Sequence, residues 1–254
     1  MVFSEQMGLL LVVSRLKAII MAGGRGTRLY PMTMFMPKQL ILIRGHPVLQ
    51  YIIRHCMRNG VRDFVLCISN NSFKHHFFNA VGDGSQFRAR IEYSIAPEET
   101  NTAGRILAAR RLVGADRDFL VYYGDIVTNL DLRSMIRLHR QKVRSKGCIS
   151  TLALSRNARL EVGVGYPDES SRVIDFKERP RLCDVSEHLI NIGIAVCNSR
   201  IFKYCSSKTD LFADAIPKSI RNNEFVCAYV TSQPFVDIGT FSALESALEI
   251  ARSP

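Results

Sequence analysis

From Lys17 to Lys142 the chain alternates short, continuous apolar runs with segments whose apolar residues recur at helical spacing, and this alternation narrows the fold more than any other feature. The run Lys17-Ala18-Ile19-Ile20-Met21-Ala22 ends at Gly23-Gly24, the pattern of a buried strand entering a tight loop. After Pro47, the residues Val48, Leu49, Ile52, Ile53, Cys56 and Met57 fall on one helical face. Pro47 suits the first turn of that helix and Gly60 its stop. The same reasoning predicts strands over Phe64 to Ile68, Arg90 to Ser94 and Phe119 to Tyr123. It predicts helices over Ser72 to Val81, Thr102 to Leu112 and Leu132 to Lys142. Strands alternating with helices imply an α/β fold with a doubly wound, mostly parallel sheet and right-handed crossovers. Ligands of such sheets bind beyond the strand C-termini, where Gly23-Gly24 and Gly124-Asp125 both stand.

From Cys148 the pattern shifts toward strands: Cys148 to Leu154, Val162 to Tyr166, Arg172 to Phe176 and Leu189 to Val196. Helices resume at Asp210 to Ile220 and Phe241 to Ala251. There is no Pro/Ser-rich hinge, low-complexity linker or repeat of fixed period. The expectation is one mixed-sheet domain over 17–254 with two lobes, about 17–145 and about 146–254, the second covering the edge of the first. Residues 1–16 read as an N-terminal extension.

Composition sets further limits. A chain of 254 residues with 47% hydrophobic and 22% charged residues is neither disordered, collagenous nor disulfide-stapled. The apolar stretch Met7 to Val13 falls well short of the roughly 20 residues a spanning helix needs. With only Glu5 charged ahead of it and no small-x-small site behind, it does not read as a signal peptide either. Seven scattered Cys, with no C-x-x-C pair and several inside apolar runs, suit reduced thiols and a cytoplasmic setting. The six His lack metal-ligand spacing. The net charge of +11 is spread along the chain, densest at Arg110-Arg111 and Arg140 to Lys146, which reads as solvated helix faces and not as a nucleic-acid surface. A basic chain nevertheless suits small anionic substrates, because positive clefts concentrate phosphates.

The densest chemical signal is Gly23-Gly24-Arg25-Gly26-Thr27-Arg28-Leu29-Tyr30-Pro31, followed by Pro37-Lys38. Three glycines after a buried strand let the backbone approach a ligand and aim N–H groups at phosphate oxygens, while Arg28 and Lys38 add fixed positive charge. The string matches neither G-x-G-x-x-G, since Leu29 stands where the third Gly belongs, nor the P-loop pattern.

The whole pattern, Gly-Gly-x-Gly-Thr-Arg-Leu-x-Pro-x-Thr-x-x-x-Pro-Lys from Gly23 to Lys38, resembles the signature of the sugar-1-phosphate nucleotidylyltransferases, the NDP-sugar pyrophosphorylases. Later segments resemble that family in its own order. These are Tyr123-Gly124-Asp125, Phe176-Lys177-Glu178-Arg179-Pro180, Asn191-Ile192-Gly193-Ile194 and Val236-Asp237-Ile238-Gly239-Thr240. The resemblance implies a Rossmann-like fold with a nucleotide lobe and a sugar lobe, and transfer of a nucleotidyl group from a nucleoside triphosphate to a sugar 1-phosphate. It implies Mg²⁺ held by Asp125 and Asp237, pyrophosphate steadied by Arg28 and the α-phosphate by Lys38. The nucleotide would lie along Ala22, Gly23, Gly24, Gly26, Thr27, Asn101, Thr102 and Gly124. The sugar side would use Gly163, Glu178 and Asn191, with Arg179 on the sugar phosphate. Homo-oligomers are common in this fold.

The chain departs from the family pattern at several points. Arg179 stands where Lys is usual, Asn101 replaces the first Gly of a Gly-Thr-Ala-Gly turn, and Val162 and Val236 stand where aromatic residues are common. Ala96 occupies the position of a base-reading Gln in thymidylyl- and uridylyl-transferring members. Ala96 and the Asn191-x-Gly193 strand favour guanylyl transfer to a mannose- or heptose-type sugar slightly over thymidylyl or uridylyl transfer to glucose 1-phosphate, and a cyclitol phosphate acceptor would fit the altered pocket equally well. A non-catalytic nucleotide-sugar-sensing subunit of the same fold is the alternative from another class, and the retained Arg28, Lys38, Asp125 and Asp237 speak against it. About a dozen residues follow the Asp-Ile-Gly-Thr segment, too few for a solenoid of stacked repeats, so the expectation is a catalytic domain alone.

Overall fold

A computed structural model of the chain describes residues 16–24, 26–114, 118–156, 164–167, 173–177 and 189–251. Strand β1 is Lys17–Met21. A short antiparallel pair, β2 (Leu42–Ile43) with β3 (His46–Pro47), leads into helix α1, Val48–Arg58. Then come β4 (Asp63–Ser69), α2 (Lys74–Val81), β5 (Arg90–Ala96), α3 (Thr102–Ala108) and α4 (Arg110–Val113). The strand and helix types expected here are all present. The helix expected over Thr102 to Leu112 is two, because Ala109 leaves the helical path at ψ −5°. No Gly or Pro marks that break.

Strand β6 (Asp118–Tyr123) is followed by the short β7 (Ile126–Thr128) and by α5, Leu132–Lys146. The Asp131 carboxylate caps α5 by accepting from Ser134 N at 2.9 Å. Gly147, in the left-handed region at φ 62°, ends it four residues later than the apolar pattern suggested. The second half contains β8 (Ser150–Ser155), β9 (Val164–Pro167), β10 (Val173–Lys177) and β11 (Ile190–Asn198). Asp210 caps a wide turn over Leu211–Ala215, accepting from Phe212 N and Ala213 N, before α6 (Ile216–Arg221) begins. Pro217 lacks an N–H, so the single helix expected from Asp210 to Ile220 restarts there. Strand β12 (Val226–Thr231), which the sequence pattern did not mark, β13 (Phe235–Asp237) and α7 (Phe241–Ile250) complete the described elements.

Seven strands form one sheet in the order β12-β8-β11-β6-β1-β4-β5. Only β11 runs antiparallel to its neighbours, β6 and β8. The other pairings, β1 with β4 and β6, β4 with β5, and β8 with β12, are parallel. The fold is thus the expected mostly parallel, doubly wound α/β sheet. Strands of the second half cover the β6 edge by prolonging the sheet itself.

Alternation along the strands divides the core between two faces. Ala18, Ile20, Phe64, Leu66, Leu120 and Tyr122 face one cluster with α1 and α5, whereas Ile19, Met21, Val65, Cys67, Phe119 and Val121 face the other with α3 and α4. Both strand faces are therefore apolar, which is why these strands read as continuous hydrophobic runs. From β1 the chain winds outward to β4 and β5, then crosses back to β6 on the other side of β1. The order reverses between β1 and β6, so a crevice opens beyond their C-terminal ends.

A buried polar link joins helix α1 to the sheet and to the loop after β7. The His55 side chain of α1 is buried, with Nδ1 3.1 Å from Tyr122 Oη and Nε2 2.8 Å from the Leu130 carbonyl oxygen. The carbonyl can only accept, so Nε2 carries the proton and Nδ1 accepts from the tyrosine. Burial lowers the His55 pKa from 6.5 to about 4, the Leu130 hydrogen bond opposing and Arg58 adding to the shift. Between these values the unfolded chain takes up a proton that the folded chain excludes, so stability falls as pH drops through that window. The loss reaches on the order of 3 kcal/mol near pH 4. Thermal melts between pH 7 and pH 4 are expected to show this loss, and a His55→Gln variant is expected to show a shallower pH slope.

Candidate active site

The loops after β1 and β6 meet at the reversal of the sheet. Gly124 N donates to the Met21 carbonyl at 2.9 Å, and Ala22 N to the Cys67 carbonyl at 2.8 Å, so the glycine loop and the Gly124-Asp125 turn leave the sheet side by side. Gly26 enters a single turn of 3-10 helix, Thr27–Leu29, which carries Arg28. A second such turn, Lys38–Leu40, carries Lys38. Lys38 Nζ is paired with Asp125 Oδ2, and both side chains are largely buried.

Asp237 reaches this place through strand pairing. β13 lies antiparallel on β7 with Asp237 opposite Ile126, and Ile238 N donates to the Asp125 carbonyl at 2.9 Å. Two carboxylates more than a hundred residues apart in sequence are thus brought to the mouth of the crevice, Asp125 in the turn before β7 and Asp237 at the end of β13. Arg28 Nη2 lies 3.8 Å from Asp237 Oδ2. The guanidinium passes over Gly239, where a Cβ would stand 2.7 Å from Nη2, so the Gly of the Asp-Ile-Gly-Thr segment leaves room for Arg28. Desolvation raises the Asp237 pKa, the charge of Asp125 raises it further, and Lys38 and Arg28 draw it down. Like charges at this separation favour a cation between them or a proton on one.

Two hollows flank this charged corner. One, of about 370 Å³, is lined by Met21, Gly23, Lys38, Thr100, Asn101 and Asp125 among others. The second, of about 380 Å³, is lined by Ala22, Tyr30, Thr33, Ser69, Asn71 and Phe73 among others. Gly23, Gly24 and Glu98 belong to both, forming the ridge between them. A neighbouring pair of hollows with apolar and aromatic walls at one end and charged groups at the other can take a flat base and its phosphates.

Of the residues singled out from sequence, Ala22, Gly23, Gly24, Lys38, Asn101, Thr102 and Asp125 line these hollows. Arg28 and Asp237 join them through the ion pair. The side chains of Asn101 and Thr102 are engaged elsewhere: Asn101 Nδ2 donates to the Lys208 carbonyl at 2.8 Å, and Thr102 Oγ1 to Asp210 Oδ2 at 2.6 Å. They tie the loop to the 207–211 segment, leaving backbone groups for a ligand. The register of β11, with Ile194 opposite Tyr122, carries Asn191 past the Tyr123 end of β6, and its Oδ1 accepts from Gly193 N at 3.1 Å. Gly163, Glu178 and Arg179 lie outside the described residues. Among the residues lining the first hollow that sequence reasoning did not assign to the site are Gln39, Arg105, Tyr123 and Asp210. Gln39 stands beside Lys38 in the Pro-Lys segment, an available signal. Arg105 had none, since a charged residue in a helix reads as solvated.

Among the described residues no group of three or more His, Cys, Asp or Glu could hold a metal ion. The donors that suit Mg²⁺ are the hard oxygens of Asp125 and Asp237, with phosphate oxygens and water to complete the shell. Among the described residues no helix is long and apolar enough to cross a membrane.

The chain is 28% identical over 243 residues to a UTP–glucose-1-phosphate uridylyltransferase from Synechocystis, covering 88% of this chain and 60% of that protein. It is 26% identical over 211 residues to a mannose-1-phosphate guanyltransferase from Hypocrea jecorina, covering 82% and 57%. The chain thus spans just under three fifths to three fifths of the length of these two relatives. The solved structure of HddC from Yersinia pseudotuberculosis complexed with GMP-PN has the same fold, with a TM-score of 0.69 at 23% identity and 92% and 98% of the two chains covered. The nucleotidyl transferase family model matches residues 17–253, and the chain belongs to that family.

Proposed function

We propose that this chain transfers a nucleotidyl group from a nucleoside triphosphate to a sugar 1-phosphate, releasing pyrophosphate, with Mg²⁺ held by Asp125 and Asp237. The observation that carries this reading is the corner where two carboxylates and two cations converge beside the glycine loop, at the reversal of the sheet. The names of the relatives support the acceptor class, and they divide between uridylyl and guanyl transfer. Guanylyl transfer to a mannose- or heptose-type sugar is slightly preferred, with thymidylyl or uridylyl transfer to glucose 1-phosphate, or a cyclitol phosphate acceptor, as the alternatives. The reaction would run in the cytoplasm, which the free thiols of the described cysteines suit.

In this reading the sugar phosphate oxygen attacks the α-phosphorus in line, and the bond to the pyrophosphate oxygen breaks. Such transfers are accelerated by holding two polyanions in line and neutralising the charge that develops. Lys38, which lines the first hollow and is paired with Asp125, would meet the α-phosphate. Arg28 lies further out, more than half exposed, where it would meet the leaving pyrophosphate. The backbone N–H groups of Gly23, Gly24, Gly26 and Thr27 would meet the triphosphate. A divalent ion bound by the two aspartates would supply charge neutralisation at the phosphates. On the sugar side Glu178, Asn191 and Gly163 would receive the ring, and Arg179 the phosphate.

The direct test is pyrophosphate release with Mg²⁺ across a grid of nucleoside triphosphates and sugar 1-phosphates. Release confined to one pairing is expected and would name both substrates. Silence across the grid despite measurable nucleotide binding would shift the reading to a sensing subunit. Asp237→Asn is expected to lower turnover by at least about a hundredfold. Its melting temperature without metal should match or exceed that of the wild type, because desolvation and Asp125 both disfavour the Asp237 charge. Near-normal turnover would remove Asp237 from the metal site. Lys38→Ala should be poorly active and also less stable, since it leaves the largely buried Asp125 carboxylate unpaired.

A further inference from the structure

Among the described residues Arg105 is the one lysine or arginine that is buried, and the transfer mechanism above does not use it. It belongs to α3, is 4% exposed, and lies under the ridge between the two hollows. Its guanidinium makes five hydrogen bonds. Nε donates to the Thr100 carbonyl at 3.0 Å and Nη1 to the Ile68 carbonyl at 3.1 Å. Nη2 donates to Ser69 Oγ at 3.0 Å, to the Pro97 carbonyl at 3.2 Å and to the Glu98 carbonyl at 3.1 Å. Ser69 Oγ in turn donates to the Gly23 carbonyl at 2.9 Å. The fork also lies flat against the glycine loop: a Cβ on Gly23 would stand 2.4 Å from Nη1 and 2.5 Å from Cζ.

Three separate pieces of chain converge on this one group: the end of β4, the glycine loop, and the loop from Pro97 to Thr100. The last two form the ridge and part of the walls of both hollows. Neither loop has regular secondary structure to hold it, and four backbone carbonyls here would otherwise lack these donors. A planar guanidinium with its donors in a rigid fork can satisfy several carbonyls at once and fix their relative positions; an ammonium cannot. We propose that Arg105 is a positioning residue that locks the Pro97–Thr100 loop to the glycine loop and so presets the cleft for the nucleoside triphosphate. The inference rests on the cleft being the nucleotide site. Arg105 acts through backbone it holds, so its loss should weaken nucleotide binding and leave the sugar phosphate side unchanged.

The test is an equilibrium titration of the full chain with GTP, dTTP and UTP in turn, without a sugar phosphate, alongside melting temperatures. With whichever triphosphate the wild type binds, Arg105→Gln is expected to raise Kd by about tenfold or more, and Arg105→Lys to give an intermediate value. In turnover, KM for the triphosphate should rise in step while KM for the sugar 1-phosphate stays within about twofold. Should Arg105→Gln fail to fold, Ser69→Ala removes only the link from Arg105 to the Gly23 carbonyl, and it should still raise Kd by about threefold at a wild-type melting temperature. Folded variants with wild-type Kd overturn the inference while leaving the function standing. Equal rises in both KM values, tracking a drop in melting temperature, also overturn it by showing a structural role alone. A wild-type chain that binds none of the three triphosphates overturns the reading of the cleft and this inference with it.

Discussion

The antiparallel register between Phe235–Asp237 and Ile126–Thr128 is short, yet the site depends on it. Asp125 follows β6 directly, so the central sheet sets its position; Asp237 has no place in that sheet. Only the pairing with β7, closed by the hydrogen bond from Ile238 N to the Asp125 carbonyl, brings the second carboxylate to the first. A one-residue slip in that register would turn the Asp237 side chain to the opposite face. It would also break the contact between Arg28 and Asp237 and remove Gly239 from beneath the guanidinium.

The charges gathered there are balanced in pairs. Lys38 compensates the more buried Asp125, and Arg28, far more exposed, stands by Asp237. Burial makes the first pair costly to break, because either partner alone would be left as an uncompensated charge in a poorly solvated place. The second pair is loose and solvent-screened, so Arg28 can leave Asp237 for an incoming polyanion at little cost. The corner is firm at its base and adjustable at its rim, which suits the proposed transfer, in which one polyanion would enter and another leave.

Much of this was legible in the chain itself. The continuous apolar runs of β1, β4 and β6 reflect burial on both faces, and the position of α1 follows from its periodicity and from Pro47 and Gly60. The family was readable from the glycine string with Arg28 and Lys38, because several residue types at fixed spacing are seldom assembled by chance. The site was less legible where a role depends on distant partners. Asn101 and Thr102 sit where expected, but their side chains hold the 207–211 segment. β12 went unmarked although Ser232 and Pro234 signal a turn behind it: as an edge strand of the sheet it is only partly buried and lacks the uninterrupted apolar run of the central strands.

Local sequence determined the secondary elements, the glycine loop and the identity of the charged groups, because spacing and residue type act over a few residues. Tertiary structure alone decided which of those charges meet. Strand order places the crevice between β1 and β6, and the β7–β13 pairing joins Asp125 to Asp237. Burial makes Arg105, an ordinary surface residue by composition, the clamp beneath the cleft. The physical reason is common to all three: hydrogen bonds and ion pairs between residues far apart in sequence are specified by the packing of the sheet and its helices, and a linear pattern carries no record of it.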